Sequence, residues 1–489
     1  MVFSGLVFLL AFLPANLILY FSAKTIKTRN IILLVFSLVF YAWGEPVYVL
    51  LLAAMSWFCW FFSRMIDRAE TDGKKRAAMI AASVVCIGAI GYFKYIGFII
   101  ENINGIAGRE LIAVPHIALP IGISFYTFQL LTYVVDVYRG EVPAQKSFWK
   151  VLLYAGLFHQ CVAGPIVRYG DVENELTERT SNIDDISTGV GRFCFGLAKK
   201  AVLANACGAV VDALLITDAD IGDGAMLAAN ISALEGRSAL TLWMGMAFYM
   251  LQIYLDFSAY SDMAIGMGLV CGFHYKENFN YPYVSHSVTE FWRRWHMSLG
   301  TFFRDYVYIP LGGNRKGKAR QIFNMFVVWA LTGLWHGASW NFVLWGLYFF
   351  VLLVIEKLFL GRFFDAHRGI GRFCTLAAVY FGWIFFKFTD MSLIGTVLKG
   401  MFCFNGNPIS TYEARSFALG YVLFFIIAVL ACTPLAKNIG IQLKKRAAVS
   451  VAANAVNTVS AVIMPAFMFV LSCLSLVGDS YNPFLYFQF

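Results

Sequence analysis

The sequence predicts an all-helical protein that crosses a membrane many times. Of its 489 residues, 60% are hydrophobic and only 14% are charged, and the mean hydropathy is +0.68. Soluble domains carry about 25% charged residues, so this composition excludes a water-soluble globular protein. Apolar runs of about 20 residues, the length that spans hydrocarbon, recur along the chain. They lack the strict alternation of barrel strands, which favours helices.

The apolar runs define the predicted membrane segments. Some are shorter than the roughly 20 residues of a full span, so we expect part of the set to be re-entrant. The predicted segments are 3–21, 30–43, 47–63, 77–93, 117–135, 148–165, 189–214, 240–271, 322–335, 339–357, 373–389, 416–433 and 457–477.

The first apolar run is predicted to remain as a span. It lacks the basic start and the small-residue cleavage site of a signal peptide. The ten cysteines are scattered through apolar runs without a Cys-x-x-Cys pair. This pattern predicts small buried side chains, and neither a disulfide framework nor a zinc site.

Basic residues are concentrated in three loops that flank predicted spans. These loops lie within 24–29, 64–76 and 437–446. Positively charged loops stay on the cytoplasmic side of a membrane, so all three are predicted to be cytoplasmic. The loop Gly44–Pro46 has no basic residue and falls outside. The same alternation places both termini outside the cell membrane.

One long polar interval, residues 273–320, interrupts the membrane pattern and is also predicted to face the cytoplasm. Within it, Glu290–Phe303 has apolar residues at helical spacing, which predicts one amphipathic helix. In the simpler interpretation its two arginines, Arg293 and Arg294, lie at the lipid headgroups. A second interpretation concerns the basic loop Gly312–Lys318, which could meet the phosphates of a cytosolic substrate. The loop matches neither a Walker A motif nor a dinucleotide fingerprint.

His336 is the most informative residue, because it stands inside the apolar run 323–353. An ionisable side chain at membrane depth is costly and is usually kept for a pathway or a reaction. Gly333 and Gly337 flank it, which predicts backbone that bends or unwinds around a pocket. A neutral imidazole in a dry pocket suits general-base work on a hydroxyl, although a structural hydrogen bond is an equal alternative.

Three further polar residues stand out. His296 lies in the amphipathic segment, where an interfacial role is the simpler interpretation. Asp256 and Asp262 lie in the apolar span 240–271, where unpaired carboxylates would be expensive. Such aspartates lock helices together more often than they catalyse.

Several segments together resemble the membrane-bound O-acyltransferase (MBOAT) family, in particular its bacterial alginate and peptidoglycan O-acetyltransferase branch. The last two of the following segments are highly specific in combination. The segments are Leu119–Arg139, Gln160–Tyr169, Tyr254–Gly266, Glu277–Tyr283, Trp292–Asn314 and Leu334–Gly346.

The resemblance implies a single acyltransferase domain over residues 1–489, with about 11–13 transmembrane and re-entrant helices around a central tunnel. It implies that His336 is catalytic, and that His296 matches a recurrent family histidine. It also implies acetyl-CoA as a cytosolic donor substrate, with no bound cofactor and no metal. The candidate substrate-binding residues are Trp335, Asn341, Ser261, Asp262, Arg293, Arg304 and Arg315.

The C-terminal tail, residues 478–489, supplies a second resemblance. Its end, Phe484–Phe489, resembles the terminal motif of bacterial envelope acylation systems, in which a tyrosine carries the acyl group. This implies that Tyr486 is an acyl carrier and that a separate extracytoplasmic acyltransferase modifies a cell-envelope polysaccharide. A hydroxyl with a pKa near 10 needs a base, which would be His336. Alternatively, the aromatic tail only anchors at the membrane interface.

Two other functions stay open at this point. Within the family, the alternative is D-alanyl transfer from a carrier protein to teichoic acid. Outside it, a proton-coupled transporter could use the buried histidine and aspartates as a relay. A transporter would be expected to contain inverted repeats, and none is visible in the sequence.

Overall fold

The computed structural model describes residues 1–115, 117–161, 164–216, 224–478 and 484–485. Every long regular element in these ranges is a helix, so the predicted all-helical membrane class is confirmed. The chain forms two compact units. The first comprises residues 1–197, 260–277 and 476–489, and the second comprises residues 198–259 and 278–475.

The first unit is built mainly from the N-terminal helices. These are α1 (Leu13–Ser22), α2 (Ile26–Gly44), α3 (Tyr48–Arg68), α4 (Asp72–Ile90), α5 (Ile96–Ala107), α6 (Ile123–Arg139), α7 (Phe148–Gly156), α8 (Tyr169–Val172) and α9 (Ile183–Ala198).

The second unit contains most of the remaining helices, and the long α12 contributes its last turns to the first unit. These helices are α10 (Asn205–Leu214), α11 (Gly224–Glu235), α12 (Ala239–Val270), α13 (Val288–Arg294), α14 (Met297–Phe303), α15 (Lys318–His336), α16 (Trp340–Ile355), α17 (Gly361–Ala366), α18 (Arg368–Lys387), α19 (Met391–Met401), α20 (Tyr412–Ala431), α21 (Leu435–Ala447) and α22 (Val451–Leu476).

Within the described residues, eight helical stretches are long and apolar enough to cross a membrane, or nine if the bent pair α11 and α12 forms one span. This makes the chain a multi-pass membrane protein. Each of the predicted apolar segments overlaps at least one of the helices. The clearest difference is the segment 148–165, whose helix ends at Gly156. The following backbone is held differently, because the N–H of Phe158 donates to Oγ of Ser37.

Seven of the ten cysteines are buried, as the sequence predicts for small apolar side chains. Short π-helical turns extend several helices, including Lys199–Ala204 before α10 and Arg304–Tyr308 after α14. Such turns shift the face that a helix presents and are frequent near functional sites.

Candidate active site

The histidine of the apolar run lies where two helices touch through glycines. A Cβ atom at Gly333 in α15 would overlap the carbonyl oxygen of Phe342 in α16. A Cβ at Gly346 in α16 would likewise overlap the carbonyl oxygen of Trp329 in α15. Small residues permit such close crossings between membrane helices. The crossing lies one turn before the end of α15 and therefore fixes the position of His336.

The prediction that Gly333 bends or unwinds the backbone is wrong. Helix α15 runs unbroken through Gly333 and ends at His336, and Gly337 beyond it is extended. The helix tolerates this glycine because close packing against α16 replaces the stability that a side chain would give. The break falls after the histidine, so the imidazole projects from the last residue of the helix.

Aromatic rings enclose the buried His336 imidazole. Trp345 lies 4.9 Å from it, Trp335 lies 5.0 Å from it and Phe386 lies 5.1 Å from it, measured between ring centroids. Phe342 completes this side at 6.4 Å. These side chains keep bulk water away from the ring, and in a dry environment a polar group interacts more strongly with a bound substrate.

His296 occupies a helix break that the sequence did not predict. The single amphipathic helix expected over Glu290–Phe303 is wrong, because α13 ends at Arg294 and α14 begins at Met297. Between them His296 has φ 44° and ψ 55°, in the left-handed region. This conformation costs a residue other than glycine about 1–2 kcal/mol, and strain of this kind is concentrated at functional sites.

The apolar face of this segment packs inside the protein. The side chains of Phe291, Trp295, Leu299 and Phe302 are all buried. Their spacing in the sequence is that of one helix, although the chain is not helical between Arg294 and Met297. His296 itself is only 2% exposed. Burial lowers its pKa to about 3, so the ring is neutral at neutral pH.

Two contacts from distant parts of the chain hold the two short helices. Glu356, buried at the end of α16, accepts hydrogen bonds from the backbone N–H groups of Val288 and Thr289 at 2.6 and 3.1 Å. A carboxylate at a helix N-terminus satisfies donors that the helix leaves unpaired and complements the helix dipole. Glu356 thereby attaches α13, and with it the break at His296, to the helix that follows His336.

Asn278 makes the second contact. Its Oδ1 lies 3.2 Å from Nδ1 of His296, and it accepts hydrogen bonds from the backbone N–H of Ser298 at 3.2 Å and from Oγ of Ser298 at 2.9 Å. The carbonyl oxygen of Asn278 also accepts from the N–H of Met297 at 2.9 Å. One buried amide side chain therefore meets both the strained residue and the first turn of α14.

The two histidines meet the same tryptophan. The Trp335 indole lies 5.7 Å from the His296 ring and 5.0 Å from the His336 ring, edge to face in both cases. Phe257 packs against the other side of His296, 4.9 Å between centroids. The structure thus brings together three of the residues that the sequence singled out, His336, His296 and Trp335, in one aromatic cluster of the second unit.

Asn341 is fully buried beside this cluster, but it acts on the backbone. Its Nδ2 donates to the carbonyl oxygen of Phe385 at 2.9 Å, which ties the start of α16 to α18. This contact helps to place Phe386 against His336. The expected role of Asn341 in substrate binding stays a prediction.

The three candidate arginines are all exposed, and they differ in their partners. Arg304 pairs with the adjacent Asp305, 2.6 Å between Nε and Oδ1. Arg315 lies in the glycine-rich loop and Arg293 lies on α13. The loop is held to α15 by the buried Asn324, whose Nδ2 donates to the carbonyl oxygen of Gly313 at 2.9 Å. The loop therefore presents its basic side chains to solvent from a fixed backbone.

Both aspartates of the apolar span have cationic partners. Asp256 pairs with Lys200 at 2.6 Å in the second unit, and both side chains are 4% exposed. In the first unit Asp262 pairs with Arg192 at 2.9 Å, and the same guanidinium contacts Glu277 at 2.5 Å. These ion pairs lock helices together, as the sequence favoured. Ser261 is buried, and its role with Asp262 in substrate binding stays a prediction.

Tyr486 lies outside the described residues. Residues 478, 484 and 485 of the tail are described, and the ring of Phe484 is 1% exposed. Among the described residues, no group of three or more histidine, cysteine or acidic side chains could hold a metal ion.

Sequence reasoning missed Asn278, Glu356 and Lys200. Lys200 carried a usable signal, because a lysine inside the apolar run 189–214 is as costly as the aspartates and needs an anionic partner. Glu356 carried the same signal, because it is a charged residue inside the predicted span 339–357. Asn278 carried no such signal, because it is an uncharged residue in the polar interval 273–320.

Comparison with known proteins shows the family to which the chain is similar. The sequence model of the membrane-bound O-acyltransferase family matches residues 141–395, more than half of the chain and the part that includes both histidines. A probable alginate O-acetylase of Pseudomonas putida is 35% identical, over 100% of both chains. A peptidoglycan O-acetyltransferase of Helicobacter pylori is 30% identical, over 83% of this chain and 80% of that one. A more distant relative is a teichoic acid D-alanyltransferase of Bacillus subtilis, 26% identical over 49% of this chain and 59% of that one.

Proposed function

The chain belongs to the membrane-bound O-acyltransferase family, and we propose that it transfers an acetyl group from acetyl-CoA for the O-acetylation of a cell-envelope or extracellular polysaccharide. The relatives that resemble it over most of their length are named for O-acetyl transfer to alginate or peptidoglycan. The observation that carries the proposal is the packing of His336 and His296 against the same buried indole, Trp335.

In the proposed reaction, His336 is the general base. Its imidazole takes the proton of a hydroxyl group while that oxygen attacks the carbonyl carbon of the thioester. The tetrahedral intermediate then expels the CoA thiolate, which takes the proton from the imidazolium and leaves as CoA. A positioned base of this kind contributes typically 10²–10⁴ in rate. The aromatic side chains around His336 suit the small neutral acetyl group and disfavour a charged one.

The CoA part of the donor is proposed to bind at the basic loop Gly312–Lys318. Arg315, Lys316 and Lys318 are exposed there, and guanidinium and ammonium groups bind phosphates strongly. Arg293 and Arg304 are proposed to add to the positive electrostatic potential around this loop. This assignment requires the loop to face the cytoplasm, as its charge predicts. Both termini would then lie outside the cytoplasmic membrane.

Tyr486 is proposed to be the first acceptor. Its hydroxyl would receive the acetyl group as an ester and pass it to a separate extracytoplasmic acyltransferase, which would acetylate the polysaccharide. The burial of Phe484 within the first unit supports a tail that returns into the protein, because an interfacial anchor would leave that ring at the lipid surface.

The decisive experiment is mass spectrometry of the C-terminal peptide after the purified protein is incubated with acetyl-CoA. We expect an acetyl increment on Tyr486 that is absent in His336→Ala. His367→Ala is the matched control, because His367 is exposed and its ring forms a hydrogen bond to the backbone of Phe363, one turn earlier. An unmodified tail in cells whose polysaccharide is still acetylated would exclude the tyrosine step and leave the histidine step standing.

The alternative within the family is D-alanyl transfer, which the distant relative of Bacillus subtilis supports. The full-length similarity to O-acetylases favours the acetyl group. Purified protein that consumes acetyl-CoA but not a D-alanyl carrier protein would decide between the two. Family membership makes the chain an O-acyltransferase, so the transporter alternative is dropped.

A further inference from the structure

The hydrogen bonds at Asn278 determine which ring nitrogen of His296 carries the proton. A backbone N–H only donates, and the N–H of Ser298 lies 3.2 Å from the side-chain oxygen of Asn278. This contact fixes the amide orientation, with Oδ1 and not Nδ2 toward α14. The same Oδ1 lies 3.2 Å from Nδ1 of His296. Because Oδ1 only accepts, a hydrogen bond between these two atoms requires Nδ1 to be the donor.

The hydroxyl of Ser298 does not reverse this assignment. Its Oγ lies 2.9 Å from Oδ1 of Asn278 and 3.4 Å from Nδ1 of His296. The shorter distance assigns the hydroxyl hydrogen to Asn278. The oxygen of Ser298 is then left as an acceptor toward Nδ1–H, which reinforces the same tautomer.

A neutral imidazole has one N–H and one lone pair. With the proton on Nδ1, the lone pair lies on Nε2, the nitrogen that points away from Asn278. In metal sites and catalytic triads, a hydrogen bond at one ring nitrogen sets the chemistry of the other in the same way. The strained backbone of His296 supports a functional role for this residue. Its left-handed conformation is held by a hydrogen bond from the N–H of Met297 to the backbone carbonyl oxygen of Asn278.

We infer that Asn278 is a positioning residue, which holds His296 as the Nδ1–H tautomer and so presents its Nε2 as a proton acceptor to the substrate beside Trp335. The inference rests on the proposed acyl transfer and adds a second basic nitrogen to the site of His336. It assigns no contact between Asn278 and substrate. Asn278 acts only through the ring that it orients.

The inference separates the effects of two substitutions at one position. Asn278→Ala removes the acceptor for Nδ1–H and frees the ring to adopt the other tautomer. We expect kcat to fall by about 10²–10⁴, the typical contribution of a positioned base, and KM for acetyl-CoA to stay within about twofold. Asn278→Asp keeps an oxygen acceptor for His296 and Ser298, so it should recover most of the lost kcat.

A double-mutant cycle distinguishes positioning from a general loss of structure. His296→Asn removes the ring and keeps a residue that tolerates the left-handed backbone. In that background, Asn278→Ala should lower kcat by less than about threefold, because residues that act as a unit are not additive. If the two losses in kcat multiply, Asn278 does not act through His296 and the inference is overturned.

Nitrogen NMR of protein labelled with ¹⁵N-histidine tests the tautomer without any activity. The His296 signals are those missing from His296→Asn. We expect a protonated Nδ1 and an unprotonated Nε2 in the wild-type protein, and a shift toward protonated Nε2 in Asn278→Ala. A protonated Nε2 in the wild type overturns the inference. A wild-type protein with the expected tautomer but no turnover of acetyl-CoA would instead refute the proposed function.

Discussion

The ring of Phe484 packs edge to face against the ring of Tyr260, with 4.9 Å between their centroids. Tyr260 in turn stacks on Phe3 at 4.6 Å, and all three rings are fully buried. Phe484 of the C-terminal tail is therefore part of the core of the first unit. A buried residue close in sequence to Tyr486 supports the acyl-carrier role proposed for that tyrosine.

Loss of this ring contact should reduce acetylation of the tail. Phe→Ala substitutions in a core lower the free energy of unfolding by about 3–5 kcal/mol, so Phe484→Ala is expected to release the tail from the core of the first unit. We predict at least fivefold less acetyl on Tyr486, with binding of acetyl-CoA unchanged. Quantitative mass spectrometry of the C-terminal peptide measures the first, and ligand-induced thermal stabilisation measures the second. Phe404→Ala is the control, because that ring is 80% exposed. Equal labelling of the two variants would contradict the prediction.

The close crossing of α15 and α16 is predicted to set the position of His336. Gly333→Ala places a methyl group against the carbonyl oxygen of Phe342, and this crowding must move one helix. Overpacking costs about 1–3 kcal/mol, so we expect a lower melting temperature and a large loss of acetyl transfer, since His336 lies one turn away. Gly420→Ala in α20 is the matched control, because a Cβ there meets open space. Activity close to wild type in Gly333→Ala would show that the crossing does not position His336.

The sequence predicted the membrane segments and the burial of His336 because both follow from the cost of polar groups in hydrocarbon. That same cost predicted that Asp256 and Asp262 need partners. It did not identify Lys200 or Arg192 as those partners, because the choice depends on which helices are neighbours. Nothing in the sequence indicated the strained backbone at His296.

The helix break at His296 could not be recognised from the spacing of the apolar residues around it. Phe291, Trp295, Leu299 and Phe302 have the spacing of one continuous helix, and all four are buried in the broken structure. Periodicity reports which residues are buried, and here the buried residues lie on two short helices separated by the break. The contacts that stabilise the break come from Asn278 and Glu356, which lie outside the segment.

Substitutions in the basic loop Gly312–Lys318 are predicted to weaken the binding of acetyl-CoA without changing kcat. Arg315→Ala and Lys316→Ala each remove an exposed charge from the proposed phosphate site. Exposed charge pairs contribute up to about 1 kcal/mol, so KM for acetyl-CoA should rise about three- to fivefold with kcat unchanged. The effect should shrink as salt is added, because salt screens exposed charges. Lys444→Ala in α21 is the control for a basic residue elsewhere. An unchanged KM in both loop variants would place the CoA phosphates at another surface.

The ion pairs of His274 are predicted to make the stability of the first unit depend on pH. Its Nδ1 lies 2.8 Å from Oε1 of Glu175, and its Nε2 lies 3.5 Å from Oδ2 of Asp185. The hydrogen bond to Glu175 is the main cause that raises the pKa of His274 above its ordinary value of 6.5. The folded protein therefore binds the proton more tightly than the unfolded chain does.

A raised pKa in the folded state means that the interaction stabilises the protein fully below pH 6.5 and is lost as the pH rises through the folded pKa. We predict that His274→Gln lowers the melting temperature of the detergent-purified protein most on the acidic side, and little once His274 is neutral in the wild type. Glu175→Gln should show the same trend, and the double variant should add little to either, because both remove one interaction. A melting-temperature difference that grows with pH would contradict this coupling.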